Sequence, residues 1–123
     1  MKTLHTMLAS AIVVVATLAA PFAAAHATLK KSSPAAGAVL DAAPNEITLT
    51  FNERVEQAFS SITLTDAGGH AVADTAKAAV DAANPAMLRL VLPPLPAGAY
   101  TVDWAAAGHD GHRRKGGFAF TVK

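Results

Sequence analysis

Three residues near opposite ends of this chain could bind one metal ion together: His26, Asp110 and His112. His26 follows three alanines, so cleavage after Ala25 would make it an N-terminal residue with a free α-amine. The amine and the ring Nδ1 of such a histidine can hold the same ion in a six-membered chelate. A second imidazole from His112 and a carboxylate from Asp110 would complete a nitrogen-rich donor set suited to Cu(II).

The first 25 residues have the organisation of a secretory signal peptide. A short basic start contains Lys2, an apolar run covers residues 7–20, and the small residues Ala23 and Ala25 precede the predicted cleavage point. The apolar run is shorter than the ~20 residues that a membrane-spanning helix needs. We therefore expect residues 1–25 to be removed by a signal peptidase, leaving an exported protein.

A second cleavage register stays open. Ala25-His26-Ala27 also places small residues at the two positions that signal peptidase recognises. Cleavage after Ala27 would discard His26 and with it the proposed chelate.

The predicted mature chain, residues 26–123, is long enough for one modest hydrophobic core. Nine Lys and Arg oppose nine Asp and Glu once Lys2 is removed, so nothing favours nucleic acid as a partner. The chain has no cysteine, which excludes a blue-copper centre and most structural zinc sites because both need thiolates. We expect a single domain that is monomeric and has no membrane span after cleavage.

Apolar and polar residues alternate in five segments, as expected for half-buried strands. The apolar positions are Ile47, Leu49 and Phe51; Ile62 and Leu64; Leu88, Leu90 and Leu92; Tyr100, Val102, Trp104 and Ala106; and Phe118, Phe120 and Val122. A further short strand is predicted near residues 76–80, with a loop after it. Glycines 68 and 69 supply turn chemistry after the second segment. The pattern predicts an all-β sandwich or small barrel.

Several motifs occur in a specific order along the predicted mature chain. They are His26; the turn Ser33-Pro34-Ala35-Ala36-Gly37; residues 47–53, ITLTFNE; residues 95–104, LPAGAYTVDW; Asp110-Gly111-His112; and residues 117–122, GFAFTV. In this order they resemble the periplasmic copper-resistance protein C (CopC) family over essentially the whole domain.

The resemblance implies a Greek-key β-sandwich of immunoglobulin-like or cupredoxin-like shape with one Cu(II) per chain. It assigns the metal ligands to His26, Asp110 and His112. Glu53 matches an acidic position near the metal, where we expect it to orient a ligand by hydrogen bonding. The expected partners are the copper ion and an inner-membrane copper importer or another periplasmic copper protein.

Some members of the family also bind Cu(I) through a methionine-rich loop, and this sequence departs from that pattern. The matching turn, residues 65–73, has no methionine, and Met87 is the only methionine left after cleavage. His70 alone cannot form a closed Cu(I) site. We interpret His70 as a surface residue on a hairpin.

Other residues near the proposed ligands have structural interpretations. We expect His109 to be a solvated turn residue and Trp104 to belong to the core. Arg113-Arg114-Lys115 adjoins the proposed metal, and we expect it to be a solvated charge run rather than a docking patch.

Three functions remain open from the sequence. The first is a periplasmic Cu(II) carrier or scavenger in copper homeostasis and resistance, which is not an enzyme. The second is a copper-dependent oxidase that uses the histidine brace, the N-terminal chelate with its partner imidazole. The third is a metal-free immunoglobulin-like interaction module.

Overall fold

The computed structural model describes residues 27–72 and 77–123, and within them the chain forms eight strands and one short 3₁₀ turn. The strands are β1 Leu29–Ser33, β2 Val39–Leu40, β3 Glu46–Phe51, β4 Ser61–Asp66, β5 Ala79–Val80, β6 Met87–Val91, β7 Gly98–Ala107 and β8 Arg113–Val122. The 3₁₀ turn, Gln57–Phe59, lies between β3 and β4. The described part of the chain contains no helix with the length and apolarity to cross a membrane.

The strands form two four-stranded sheets with the hydrophobic core between them. The first sheet has the order β1-β3-β6-β5 and the second β2-β8-β7-β4. All neighbouring pairs are antiparallel except β2 with β8. The predicted all-β sandwich is confirmed, and the two sheets do not close into a barrel.

The five alternating segments all form strands, because alternation places their apolar residues on one face. In β3, for example, Ile47, Leu49 and Phe51 are buried and the polar residues between them are not. The strands β1 and β2 had no such pattern and were missed, since β1 is an edge strand with few apolar residues. The strand predicted near 76–80 is shorter, Ala79–Val80, and Ala76 lies outside the described residues.

The β7–β8 hairpin is the longest element and carries the loop of residues 108–112 at one end of the sandwich. Its pairing is continuous from Gly98 opposite Val122 to Ala107 opposite Arg113. On its inner face the rings of Tyr100 and Phe120 stack with centroids 5.5 Å apart. The Tyr100 hydroxyl donates to the Pro96 carbonyl at 2.6 Å, a contact that resembles the tyrosine corner of immunoglobulin-like sandwiches.

Three segments meet at the end of the sandwich that carries this loop. The start of β1 lies there because Leu29 pairs with Phe51, the last residue of β3. The Phe51 ring meets Trp104 of β7 edge-on at 5.3 Å, which joins the two sheets. The segment after β3 reaches the hairpin loop, since the Glu56 N–H donates to the Ala107 carbonyl at 2.8 Å.

Candidate metal centre

The loop between β7 and β8 contains a tight turn that depends on Gly111. The Gly111 N–H donates to the Gly108 carbonyl at 3.0 Å, and Gly111 has a φ of +80°. Glycine adopts this left-handed backbone conformation without the steric cost that a Cβ atom brings. The turn places Asp110 two residues before His112, at the point where β8 is about to begin.

Asp110 fixes the backbone and the ring of His112 together. Its Oδ1 accepts the His112 N–H at 3.1 Å, and its Oδ2 lies 2.9 Å from the His112 Nδ1. The second contact has the length of an ordinary hydrogen bond between an imidazole and a carboxylate. It holds the Asp110 and His112 side chains next to each other just before β8 begins.

The start of the described chain is held beside the first residues of β8 by hydrogen bonds of Thr28. Its N–H donates to the Asn52 Oδ1 at 2.7 Å, and the Asn52 N–H donates to the Thr28 carbonyl at 3.0 Å. The Arg114 Nη1 donates to the Thr28 Oγ1 at 3.2 Å. Ala27 is fully buried in the core. Thr28 is thus fixed beside Arg114, which is two residues from His112.

The structure brings Asp110 and His112 together, whereas His26 lies outside the described residues. Within residues 27–72 and 77–123 no three His, Asp or Glu side chains are arranged to hold a metal ion. Asp110 and His112 supply two of the three proposed ligand residues, so the metal site remains a prediction.

Glu53 follows Asn52 in the loop after β3. Its Oε1 is screened from solvent and has no hydrogen-bond partner among the described residues. A buried polar atom without a partner costs free energy. Such an atom fits the predicted role of Glu53, which is to accept a hydrogen bond from a metal ligand. That role stays a prediction.

The two other histidines of the described residues, His70 and His109, lie on the surface, as predicted. The His70 side chain is 81% exposed, and its Nδ1 lies 3.5 Å from the Asp66 Oδ1. The His70 backbone N–H donates a hydrogen bond to Asp66, and this bond has the largest effect of those that lower the pKa of Asp66. His109 is exposed in the hairpin turn. Neither is placed as a further ligand beside Asp110.

Trp104 belongs to the partly buried margin of the core, consistent with its interpretation as a core residue. Its ring covers Gly116 on the neighbouring strand, where an added Cβ atom would lie 2.5 Å from the ring. A larger residue at position 116 would therefore clash with the indole ring of Trp104 in this position.

The interpretation of residues 113–115 as a solvated run is only half right. All three side chains are exposed, but Arg113 and Arg114 each donate a hydrogen bond, to the Phe59 carbonyl and to Thr28.

The positioning role of Asn52, whose side chain accepts the Thr28 N–H, was also missed. The only sequence signal was an Asn directly after a strand, where its side chain commonly bonds to backbone.

Replacing Asn52 with Ala is expected to speed amide hydrogen exchange at Thr28 about fivefold, because one hydrogen bond of roughly 1 kcal/mol is lost. Exchange followed by NMR measures this directly. Asn45→Ala is the matched control, since Asn45 precedes β3 at its opposite end. Equal exchange at Thr28 in both variants would show that the Asn52 side chain does not hold the chain there.

Comparison with known proteins identifies the same fold and domain. The model of the CopC domain matches residues 29–123. Copper resistance protein C of Escherichia coli is 39% identical over 107 residues, which cover 82% of this chain and 84% of that protein. The copper transport protein CutJ of Bacillus subtilis is 34% identical over 99 residues, covering 80% of this chain and only 18% of CutJ.

Two solved structures agree with these matches. The crystal structure of CopC from Methylosinus trichosporium OB3b has a TM-score of 0.73 and 35% identity, with 80% of this chain and 94% of that chain covered. PcoC, described as a methionine-rich copper resistance protein from Escherichia coli, has a TM-score of 0.70 and 40% identity, with coverage of 80% and 99%. With the two-sheet sandwich and a domain match over nearly all described residues, the chain belongs to the CopC family.

Proposed function

We propose that this protein binds one Cu(II) ion through His26, Asp110 and His112, and acts in the periplasm as a copper carrier or scavenger in homeostasis and resistance. The proposal requires signal peptidase to cleave after Ala25, so that the domain consists of residues 26–123. The names of its relatives, copper resistance protein C and copper transport protein CutJ, support a role in copper handling.

The observation that carries the proposal is the contact between Thr28 and Arg114. His26 is two residues before Thr28, and His112 is two residues before Arg114. Because consecutive Cα atoms are about 3.8 Å apart, each histidine can lie at most ~7.6 Å from its neighbour in this contact. Chain connectivity therefore allows the α-amine and ring of His26 to reach the Asp110–His112 pair.

The types of donor favour Cu(II) as the cargo. An amine, two imidazoles and a carboxylate suit the tetragonal geometry of Cu(II), whereas Cu(I) prefers thiolates and thioethers. The chain has no cysteine. In the described residues the single methionine, Met87, lies on β6, opposite Thr50 of β3. Residues 65–73, which match the methionine-rich loop of some family members, contain no methionine. This differs from PcoC, which is described as methionine-rich.

Glu53 is proposed to orient the N-terminal ligand. When Nδ1 of His26 binds the ion, its other ring nitrogen carries a proton that needs an acceptor. The screened Oε1 of Glu53, one residue from the Asn52 that holds Thr28, is suited to accept a hydrogen bond from that N–H.

Exposure of the proposed site favours a carrier over a catalyst. The His112 side chain is 69% exposed, so the metal would lie at a rim from which another protein can take it. A copper importer of the inner membrane is the partner we propose, and CutJ supports it because a matching segment forms a small part of a copper transport protein.

The test is the intact mass of the exported protein, measured with and without Cu(II), followed by competition with chelators specific for each oxidation state. We expect a chain that begins at His26, holds one Cu(II), and binds Cu(II) more tightly than Cu(I). A chain that begins at Thr28, or a higher affinity for Cu(I), would contradict the proposal. Turnover of an added substrate in the presence of copper and an oxidant would instead support an oxidase.

Acid supplies a second readout of the same site. The α-amine and the imidazoles bind copper only after losing their protons. Binding should therefore release protons, and the apparent Cu(II) affinity should fall steeply as the pH drops from about 6 to about 4, because protons compete with copper for these nitrogens. An affinity that is independent of pH over this interval would exclude nitrogen ligands of this kind.

A further inference from the structure

An exposed surface beside the candidate metal centre combines two cations with an aromatic ring. Arg113 and Lys115 pair with Ala107 and Ala105 of β7. These alternate with the core-facing Trp104 and Ala106, so both cations lie on the outer face of the second sheet. The 3₁₀ turn contacts β7 there, and the Arg113 Nε donates to the Phe59 carbonyl at 3.2 Å. We call Phe59, Arg113 and Lys115 the basic–aromatic face.

Arg113 and Lys115 have no ion-pair partner in the described part of the chain, and the carboxylate that shares their side of the sheet, Asp103, lies two positions further along β7, opposite Gly117. The ion pairs among residues 27–72 and 77–123 involve other cations, and neither Arg113 nor Lys115 pairs with a described carboxylate. Phe59 is 57% exposed, although large apolar side chains are usually buried. Two cations and a phenyl ring are therefore exposed to solvent, and Arg113 directly follows His112 in the chain.

Hydrogen bonds hold this face in a fixed shape. The Glu56 N–H donates to the Ala107 carbonyl at 2.8 Å, and the Ala107 N–H donates to the Ser60 Oγ at 3.2 Å. The Ser60 hydroxyl in turn donates to the Glu56 carbonyl at 2.7 Å. Residues on both sides of Phe59 are thus tied to the end of β7. A preformed surface loses less conformational freedom on binding than a mobile loop does.

The distribution of charge points to an acidic partner. Residues 26–123 contain equal numbers of acidic and basic side chains, and three of the nine cations are consecutive at residues 113–115. The remainder of that chain has six cations and nine carboxylates, so this run is a pole of positive charge in an otherwise acidic sequence, with Arg113 and Lys115 on the outer face and Arg114 directed to Thr28. Such a pole steers negatively charged surfaces towards it. Arginine and aromatic side chains are also enriched in the centres of protein interfaces.

We propose that the basic–aromatic face docks an acidic protein surface that surrounds a copper acceptor. Phe59 supplies the apolar contact, and Arg113 and Lys115 pair with carboxylates of the partner. Because Arg113 follows His112 directly, a partner bound here lies beside the proposed copper ligands. The identity of the cargo rests on the proposed function, but the docking itself does not require copper.

Two synthetic peptides test the proposal: one rich in Asp and Glu with a single histidine, and its Asn and Gln counterpart. Each is titrated into the copper-free protein and followed by ¹⁵N NMR. We expect the acidic peptide to shift resonances of Phe59, Arg113 and Lys115. In the Arg113→Gln/Lys115→Gln protein we expect about fivefold weaker binding, consistent with two exposed ion pairs. The Lys31→Gln/Lys123→Gln protein loses the same charge elsewhere and should bind as the parent does.

Copper transfer from the loaded protein to the same peptides is the second arm. We expect transfer to the acidic peptide to be faster, to slow with added salt, and to slow about fivefold in the Arg113→Gln/Lys115→Gln protein, in line with the exposed-pair energies. Docking without copper binding would overturn the proposed function alone.

Three results would overturn the docking proposal: equal binding of the two peptides, equal loss in the control variant, or shifts away from the face. Vesicles containing phosphatidylserine provide the membrane alternative. Preferential binding of the face to these vesicles would make it a membrane contact and would also overturn the proposal.

Discussion

The His112→Ala protein is expected to bind Cu(II) more than about 100-fold more weakly than the parent. Changes to groups that only support a metal ligand typically cost about 10–100-fold in affinity, and removal of a ligand itself should exceed that range. The hydrogen bond of 2.9 Å between the His112 Nδ1 and Asp110 Oδ2 motivates the choice, since it keeps the two proposed ligand side chains together. Competition titration measures the affinity, and EPR counts the coupled nitrogens.

His109→Ala is the matched control for this experiment. His109 is in the same turn and is also exposed, but its side chain makes no hydrogen bond to another described residue. We expect its removal to leave the Cu(II) affinity and the EPR spectrum unchanged. If the two histidine variants behaved alike, or if His112→Ala kept the parent's nitrogen couplings, the ligand assignment would be wrong.

The Phe120→Ala protein is expected to lose about 3–5 kcal/mol of unfolding free energy, the usual cost of truncating a buried Phe. Phe120 is 1% exposed and stacks on Tyr100 in the centre of the sandwich. Urea unfolding of the metal-free protein measures the difference. Phe59→Ala removes the same atoms from an exposed site and should change the free energy by less than about 0.5 kcal/mol. A comparable loss in both variants would mean that Phe59 is packed against the fold.

Sequence alternation predicted those strands whose two faces differ in environment. The segments that contain Leu49, Leu64, Leu90 and Val102 were found because each has one buried and one exposed face. β1 was missed because its residues, LKKSS, are mostly polar and its pairing depends on backbone bonds to β3, which leave no pattern of side chains. Edge strands of this kind are specified by the sheet that they join.

The candidate site was predictable where it depends on local sequence. Asp110 and His112 are two residues apart, so a single turn brings them together. The contact between Thr28 and Arg114 depends on the arrangement of two sheets and could not be read from either segment. For the same reason the direction of Arg113, towards the carbonyl of Phe59, was not foreseen.

The bond between Arg114 and Thr28 spans 86 residues, so it forms only when both ends of the chain have reached their final places. Contacts of such long range are slow to form, because the loop between them must first be closed. On the proposed ligand set, an unfolded chain still has the amine and ring of His26, but it must close a loop of 86 residues to add His112. The native fold removes this entropic cost, so we expect the third copper-bound nitrogen to appear mainly in folded molecules. Its EPR coupling would time the completion of folding, and bound copper would stabilise only molecules that have reached that point.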